Sequence, residues 1–184
     1  MFPDGIPFVI FAKTAKMGDV QNLSRQDANK KIKELAEKAD ICLFTTNLSL
    51  LPLTTRPMST RAVDEEGNIW FFSREGSNKN REIAKDKRVQ LFYSNTSNFE
   101  FLSLYGSASI IKDTAKAKDL WSAVAKTWFQ DGYNDPELTL IKIIPEEGYY
   151  WDTKDGKVVS LLKFVAGAVT GKELNTGIEG KVRS

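Results

Sequence analysis

The chain of 184 residues contains no histidine and a single cysteine, Cys42. Without histidine there is no Ser-His-Asp triad, no His-ligated zinc centre and no proximal-His haem, and one thiol cannot form an internal disulfide. An excess of one charge sign is also missing: Lys+Arg 26 against Asp+Glu 24 leaves a formal +2. That is too little for a basic face that neutralises many nucleic-acid phosphates. No apolar run approaches the ~18 residues of a membrane span. The apolar stretch Phe8-Val9-Ile10-Phe11-Ala12 follows Asp4 and Pro7 rather than a basic segment. It makes a poor secretory signal, so the expectation is a cytoplasmic protein.

What is present is ordinary for a globular chain, with 41% hydrophobic and 27% charged residues, and the length suits one packed domain. Residues 1–23 read as a loosely ordered N-terminal extension, of which Met1–Lys16 precede a second methionine, Met17, and are expected to be dispensable. The domain is expected over residues 24–170, and the glycine-containing polar segment 171–184 as a flexible tail. Ser24 is the expected N-cap of a helix whose apolar face is Ile32, Leu35, Ala36 and Ala39. Ile41–Thr46 and Thr54–Val63 read as paired strands. Ile69–Ser73 is an aromatic strand, and Ser77 caps a short helix through Ile83 and Ala84.

Val89–Tyr93 and Phe99–Ile111 are further strands, the second carrying Gly106 where a bulge or barrel bend is expected. Ala117, Leu120, Trp121, Val124, Ala125 and Trp128 recur at helical spacing and predict a second long helix with its tryptophans in the core. Leu138–Ile144 and Tyr149–Trp151 close the sheet, separated by Pro145 and Gly148. A final amphipathic helix is predicted from Val158 to Val169. About six strands with helices between and after them give an α+β domain on an antiparallel sheet or barrel.

The densest chemistry lies in Arg56-Pro57-Met58-Ser59-Thr60-Arg61, followed by Phe72-Ser73 and Gly76-Ser77-Asn78-Lys79. A phosphate needs free backbone N–H groups, a positive local field and charge-assisted donors, and a Ser-capped helix start with Lys79 in its first turn supplies all three. An ordinary helix cap with solvated strand charges is the other reading of the same residues. No metal-ligating cluster and no catalytic acid or base stands out.

In this order these segments, with the later Trp128-Phe129-Gln130-Asp131-Gly132-Tyr133-Asn134-Asp135-Pro136, Gly148-Tyr149-Tyr150-Trp151-Asp152 and Ala168-Val169-Thr170-Gly171-Lys172, resemble the general stress proteins of the pyridoxamine 5′-phosphate oxidase-like group. The resemblance covers roughly Ser24 to Lys172 and implies a split β-barrel homodimer holding flavin mononucleotide (FMN) at the subunit interface. It places the flavin along Arg56, Pro57, Met58, Ser59, Thr60 and Arg61, with Arg56 as a phosphate or ring-edge donor. Phe72 would contribute backbone contacts, and Ser73, Ser77 and Lys79 would hold the phosphate together with the Asn78 position. Trp151 would reach the flavin from the partner subunit; a plain barrel-closing aromatic is the alternative there.

Three departures stand beside the match. Asn78 replaces an arginine of the oxidases and Phe101 a glutamine, and the Arg- and His-containing motif that binds pyridoxine phosphate is missing from a chain without histidine. The implied function is therefore a flavin-dependent oxidoreductase of unknown substrate that does not oxidise vitamin B6. A non-enzymatic flavin-binding or redox-sensing stress protein, and a barrel that has lost flavin, remain as alternatives.

Overall fold

The computed structural model describes residues 19–24, 26–153 and 177–183. The strands are β1 (Asp19–Val20), β2 (Leu23–Ser24), β3 (Ile41–Thr46), β4 (Thr54–Ser59), β5 (Ala62–Val63), β6 (Ile69–Arg74), β7 (Arg88–Asn95), β8 (Glu100–Ile111), β9 (Leu138–Thr153) and β10 (Gly177–Arg183). The helices are α1 (Gln26–Ala39), α2 (Asn78–Lys85) and α3 (Thr114–Asp119), with short 3-10 turns at Ala123–Thr127 and Gly132–Asn134.

One sheet runs β1-β10-β9-β8-β7-β3-β4. Its organiser is β9: Leu138–Ile143 pairs with β6, whereas the following half, Glu147–Thr153, pairs with β10 on the same edge. β8 lies along the other edge of both halves. Strict alternation on β7 and β8 sends Val89, Leu91, Tyr93, Leu102 and Leu104 into one core, which Ile32, Leu35 and Ala36 of α1 cover. Burying each such Ile or Leu is worth about 1.5–3 kcal/mol, so α1 is held mainly by this face. β6 is apolar on both sides because Ile69 and Phe71 enter that core while Trp70 and Phe72 join a second cluster with Phe129, Leu138 and Leu140.

No ladder joins β4 to β6, so the sheet is not closed. Past the end of β4 the Thr60 amide still bonds to the β3 side, to the Asp40 carbonyl at 2.8 Å, and the Arg61 amide turns across the opening to the Trp70 carbonyl of β6 at 2.8 Å.

Several expectations are corrected. The described residues hold ten strands rather than about six, and the sheet is mixed, because β1 and β2 run parallel to β10. The strand β10 lies where a loose tail was expected: Gly180 is there because a Cβ would stand 2.0 Å from the Gln21 carbonyl oxygen, a close approach rather than a flexible link. Residues 19–23, expected within a loose extension, are held in β1 and β2 along β10; Ser24, the expected cap residue of α1, stands in β2 opposite Arg183, and α1 begins at Gln26.

The strand expected over Thr54–Val63 is interrupted at Thr60 and Arg61. Pro145 does not end a strand: it faces Gly106 at the register shift, where a Cβ on Gly106 would be 2.4 Å from the Ile144 carbonyl oxygen, and β9 continues through it. The bulge expected at Gly106 is thus present, and its partner is the residue that had been read as a break. The predicted long second helix is the short α3 followed by the 3-10 turns, since tertiary bonds to Ser122 and Trp128 replace helical continuation. The segment Met1–Lys16 and the final helix from Val158 to Val169 lie outside the described residues.

Candidate functional site

The opening between β4 and β6 is a cleft of about 400 Å³. Arg56, Pro57, Met58, Ser59 and Arg61 form one wall, Phe72, Ser73, Arg74, Ser77 and Lys79 the other, and Val124, Ala125, Trp128 and Phe129 overhang it. Nine of the twelve residues singled out from sequence therefore meet here.

At one end a polar lattice fixes the start of α2. The Ser73 hydroxyl donates to Asn80 Oδ1 at 2.7 Å and shares a hydrogen bond with the Ser77 hydroxyl at 3.2 Å. Asn80 Nδ2 donates to Thr139 Oγ1 at 3.0 Å, and Thr139 Oγ1 donates to the Ser73 carbonyl at 2.9 Å. Ser77 is the N-cap, accepting from the Asn80 amide at 3.4 Å. A capped N-terminus leaves its earliest amides directed outward with the positive end of the helix dipole.

Lys79, half-buried in that first turn, makes no hydrogen bond or ion pair among the described residues. Burial, and then the neighbouring Arg56 charge, hold its ammonium below the usual lysine pKa, against an opposing pull from Glu82. Arg56 is engaged: its Nη2 donates to Glu82 Oε2 at 2.8 Å and its Nη1 to Thr46 Oγ1 at 2.5 Å. Although burial works the other way, hydrogen bonds from Thr46 and Arg56 hold Glu82 below the ordinary carboxylate range.

The other end is aromatic. The Phe72 ring lies 5.7 Å from Trp121 and 6.2 Å from Phe129, with the Arg61 guanidinium 6.0 Å above it. Arg61 donates to the Ser122 hydroxyl at 2.9 Å and to the Ser59 hydroxyl, has Asp40 Oδ1 at 3.9 Å, and buries its Nε without a partner. Arg74 donates to Glu137 Oε2 and to the Trp128 carbonyl, both at 2.5 Å.

Three expected site residues stand apart. Thr60 is buried and shares a 2.9 Å hydrogen bond with the Tyr93 hydroxyl. Asn78 accepts from Arg81 through its side-chain oxygen. Trp151 lies on the far half of β9, opposite Phe101 and 4.8 Å from the Tyr149 ring.

Sequence reasoning missed Asn80 and Thr139, whose polarity carries no periodic signal, and Arg74 and Trp128. Trp128 had been placed in the core by helical spacing, but it is 57% exposed at the cleft rim. No group of metal-ligating side chains occurs among the described residues, and no helix there is long and apolar enough to cross a membrane.

The fold is shared with solved structures of proteins named as stress proteins. A structure from Jannaschia sp. CCS1 bearing the general stress protein 26 name matches with TM-score 0.70 and 20% identity, over 86% of this chain and 96% of that one. The general stress FMN/FAD binding protein of Xanthomonas citri matches with TM-score 0.58 and 23% identity, over 68% and 87%. In sequence, protein bli-3 of Neurospora crassa is 24% identical over 152 residues, 72% of this chain and 73% of that protein. The family model described as pyridoxamine 5′-phosphate oxidase like matches residues 27–175, and the chain belongs to that family.

Proposed function

We propose that the chain binds FMN in the cleft between β4 and β6, with the phosphate at the start of α2. The observation that carries this is Lys79: an ammonium without a protein partner, beside the Ser77-capped helix end and the Ser73 hydroxyl, in the wall of a cleft of suitable size. Ser73, Ser77 and Lys79 would hold the phosphate, and Arg56 to Arg61 would lie along the ring system. A bound flavin would supply two-electron or one-electron transfer, and the protein would supply position and exclusion of water.

The lining contains four cations (Arg56, Arg61, Arg74 and Lys79) and no carboxylate, so an anionic cofactor fits its field. The test is an absorption spectrum after incubation with excess FMN and gel filtration. Retained flavin absorbance is expected, and its absence would remove the proposal.

The activity that follows is a flavin-dependent oxidoreductase that does not oxidise pyridoxamine phosphate. One observation favours the second reading, a non-enzymatic flavin-binding or redox-sensing protein: among the lining residues there is no carboxylic acid, and the chain has no histidine to move a proton. Turnover of a chemical or nicotinamide reductant by the flavin-loaded protein separates the two.

The working unit is proposed to be a homodimer. Ile41, Leu43 and Phe92 are 54%, 52% and 42% exposed on one face of the sheet, and the pairings Leu43↔Phe92 and Phe101↔Trp151 extend that face toward Trp151. Exposed apolar side chains gathered on one sheet face mark an interaction surface. Trp151 would then cover the partner's flavin. Light scattering should give twice the chain mass, and a monomer that still binds flavin tightly would refute the shared site.

A further inference from the structure

The proposal above lays the flavin ring along the Arg56 to Arg61 wall and gives no role to the residues that overhang it. The turn Ala123–Thr127 is pinned at both sides by arginines that flank the aromatic strand: Arg61 holds the Ser122 hydroxyl at 2.9 Å, and Arg74 holds the Trp128 carbonyl at 2.5 Å. Beneath it Phe129 is buried, with its ring under the Arg74 guanidinium at 5.6 Å and edge-on to Phe72 at 6.2 Å. The turn is thus fixed, yet its Trp128 indole is 57% exposed and lines the cleft. A large aromatic kept open to water on a rigid support, beside Val124, Ala125 and Phe72, is a stacking surface awaiting a flat partner.

Charge narrows what that partner is. Arg74 is engaged by Glu137 and a carbonyl, and Arg61 by two hydroxyls, with Asp40 at 3.9 Å and its remaining Nε buried. Neither offers a free donor fork to a phosphate, and the unpaired cation of the cleft, Lys79, belongs to the other end. We propose that Trp128 is the wall on which a flat, conjugated and largely apolar second ligand of the quinone type stacks. It sets the specificity of the cleft against phosphorylated substrates. This rests on the flavin reading for the α2 end.

The experiment loads the protein with FMN, removes excess by gel filtration, and titrates it calorimetrically with 2-methyl-1,4-naphthoquinone and, separately, with pyridoxamine 5′-phosphate. The quinone is expected to bind the tighter of the two. Trp128→Ala should weaken it at least ~10-fold, and Trp128→Phe should stay within ~3-fold, because stacking survives on a smaller ring. Both variants should retain flavin absorbance and the parent unfolding temperature. Unchanged quinone affinity in Trp128→Ala, or tighter binding of pyridoxamine 5′-phosphate, would overturn the assignment. Should the parent retain no flavin, the flavin reading fails by itself, and the same quinone comparison on flavin-free protein still decides the role of Trp128.

Discussion

The two ends of the cleft are made of different materials. At the start of α2 the side chains are small and polar, they interlock through Ser73, Ser77, Asn80 and Thr139, and one cation is left without a partner. At the overhang the side chains are large and aromatic, and both arginines are engaged by protein groups. The contrast separates two kinds of work: a field that can attract an anion, and a shaped surface that can only accept what fits it. Substitutions that act on one end should leave the other legible.

The largest expected effect is structural and lies at the aromatic end. Phe129 is buried against Phe72 in the second cluster, and Phe129→Ala should cost about 3–5 kcal/mol of stability, the usual range for emptying a buried aromatic site. Urea unfolding measures it. A loss below about 1 kcal/mol would mean that the overhang is loosely attached, and the rigidity assigned to Trp128 would fall with it.

Next is the polar end. Lys79→Ala should weaken FMN binding roughly 10- to 150-fold, since a hydrogen bond to a charged group is worth about 1.5–3 kcal/mol. Stability should change by less than about 0.5 kcal/mol. Lys85→Ala, at the opposite end of the same helix, is the control. Equal FMN affinity in both variants would remove the phosphate from this end. Asn80→Ala follows, at about 1–3 kcal/mol of stability, because Ser73 and Thr139 lose a buried partner. If Asn80→Ala unfolds like the parent protein, the lattice does not position α2.

Legibility differed between these same regions. The cap Ser77, the place of Lys79 in the first turn and the edge strand β4 as far as Ser59 were readable because local rules govern them: a helix start is signalled by its own residues, and chain proximity brought Ser73 beside Ser77. The overhang was not readable. Helical spacing from Ala117 to Trp128 is real in the sequence, but Arg61 and Arg74, more than forty residues earlier, capture Ser122 and Trp128 and divert the chain into 3-10 turns. The β10 strand failed for a related reason. Its glycines suggested looseness, whereas Gly180 admits the Gln21 carbonyl, a contact between the two chain ends that no local pattern encodes. The bulge at Gly106 was read correctly and its partner Pro145 was not, since a proline's tolerance in a strand depends on which neighbour faces it.

The smallest effect asks why one cation of the polar end is free and its neighbour is not. Glu82 is held below the ordinary carboxylate range by Thr46 and Arg56. A carboxylate with a lowered folded-state pKa adds stability that is present above its unfolded value and is lost as the pH falls through the folded one. Glu82→Gln should therefore unfold about 1 kcal/mol more easily than the parent at neutral pH, and the difference should vanish in strong acid, where both chains carry a neutral side chain. At neutral pH the same substitution releases Arg56 from its carboxylate at the mouth of the phosphate end, so FMN should bind a few-fold more tightly, by about 1 kcal/mol or less. A stability gap that persists in acid would show that Glu82 acts through packing rather than charge. Unchanged FMN affinity would show that Arg56 does not face the phosphate, which would leave Lys79 and the helix start to hold it.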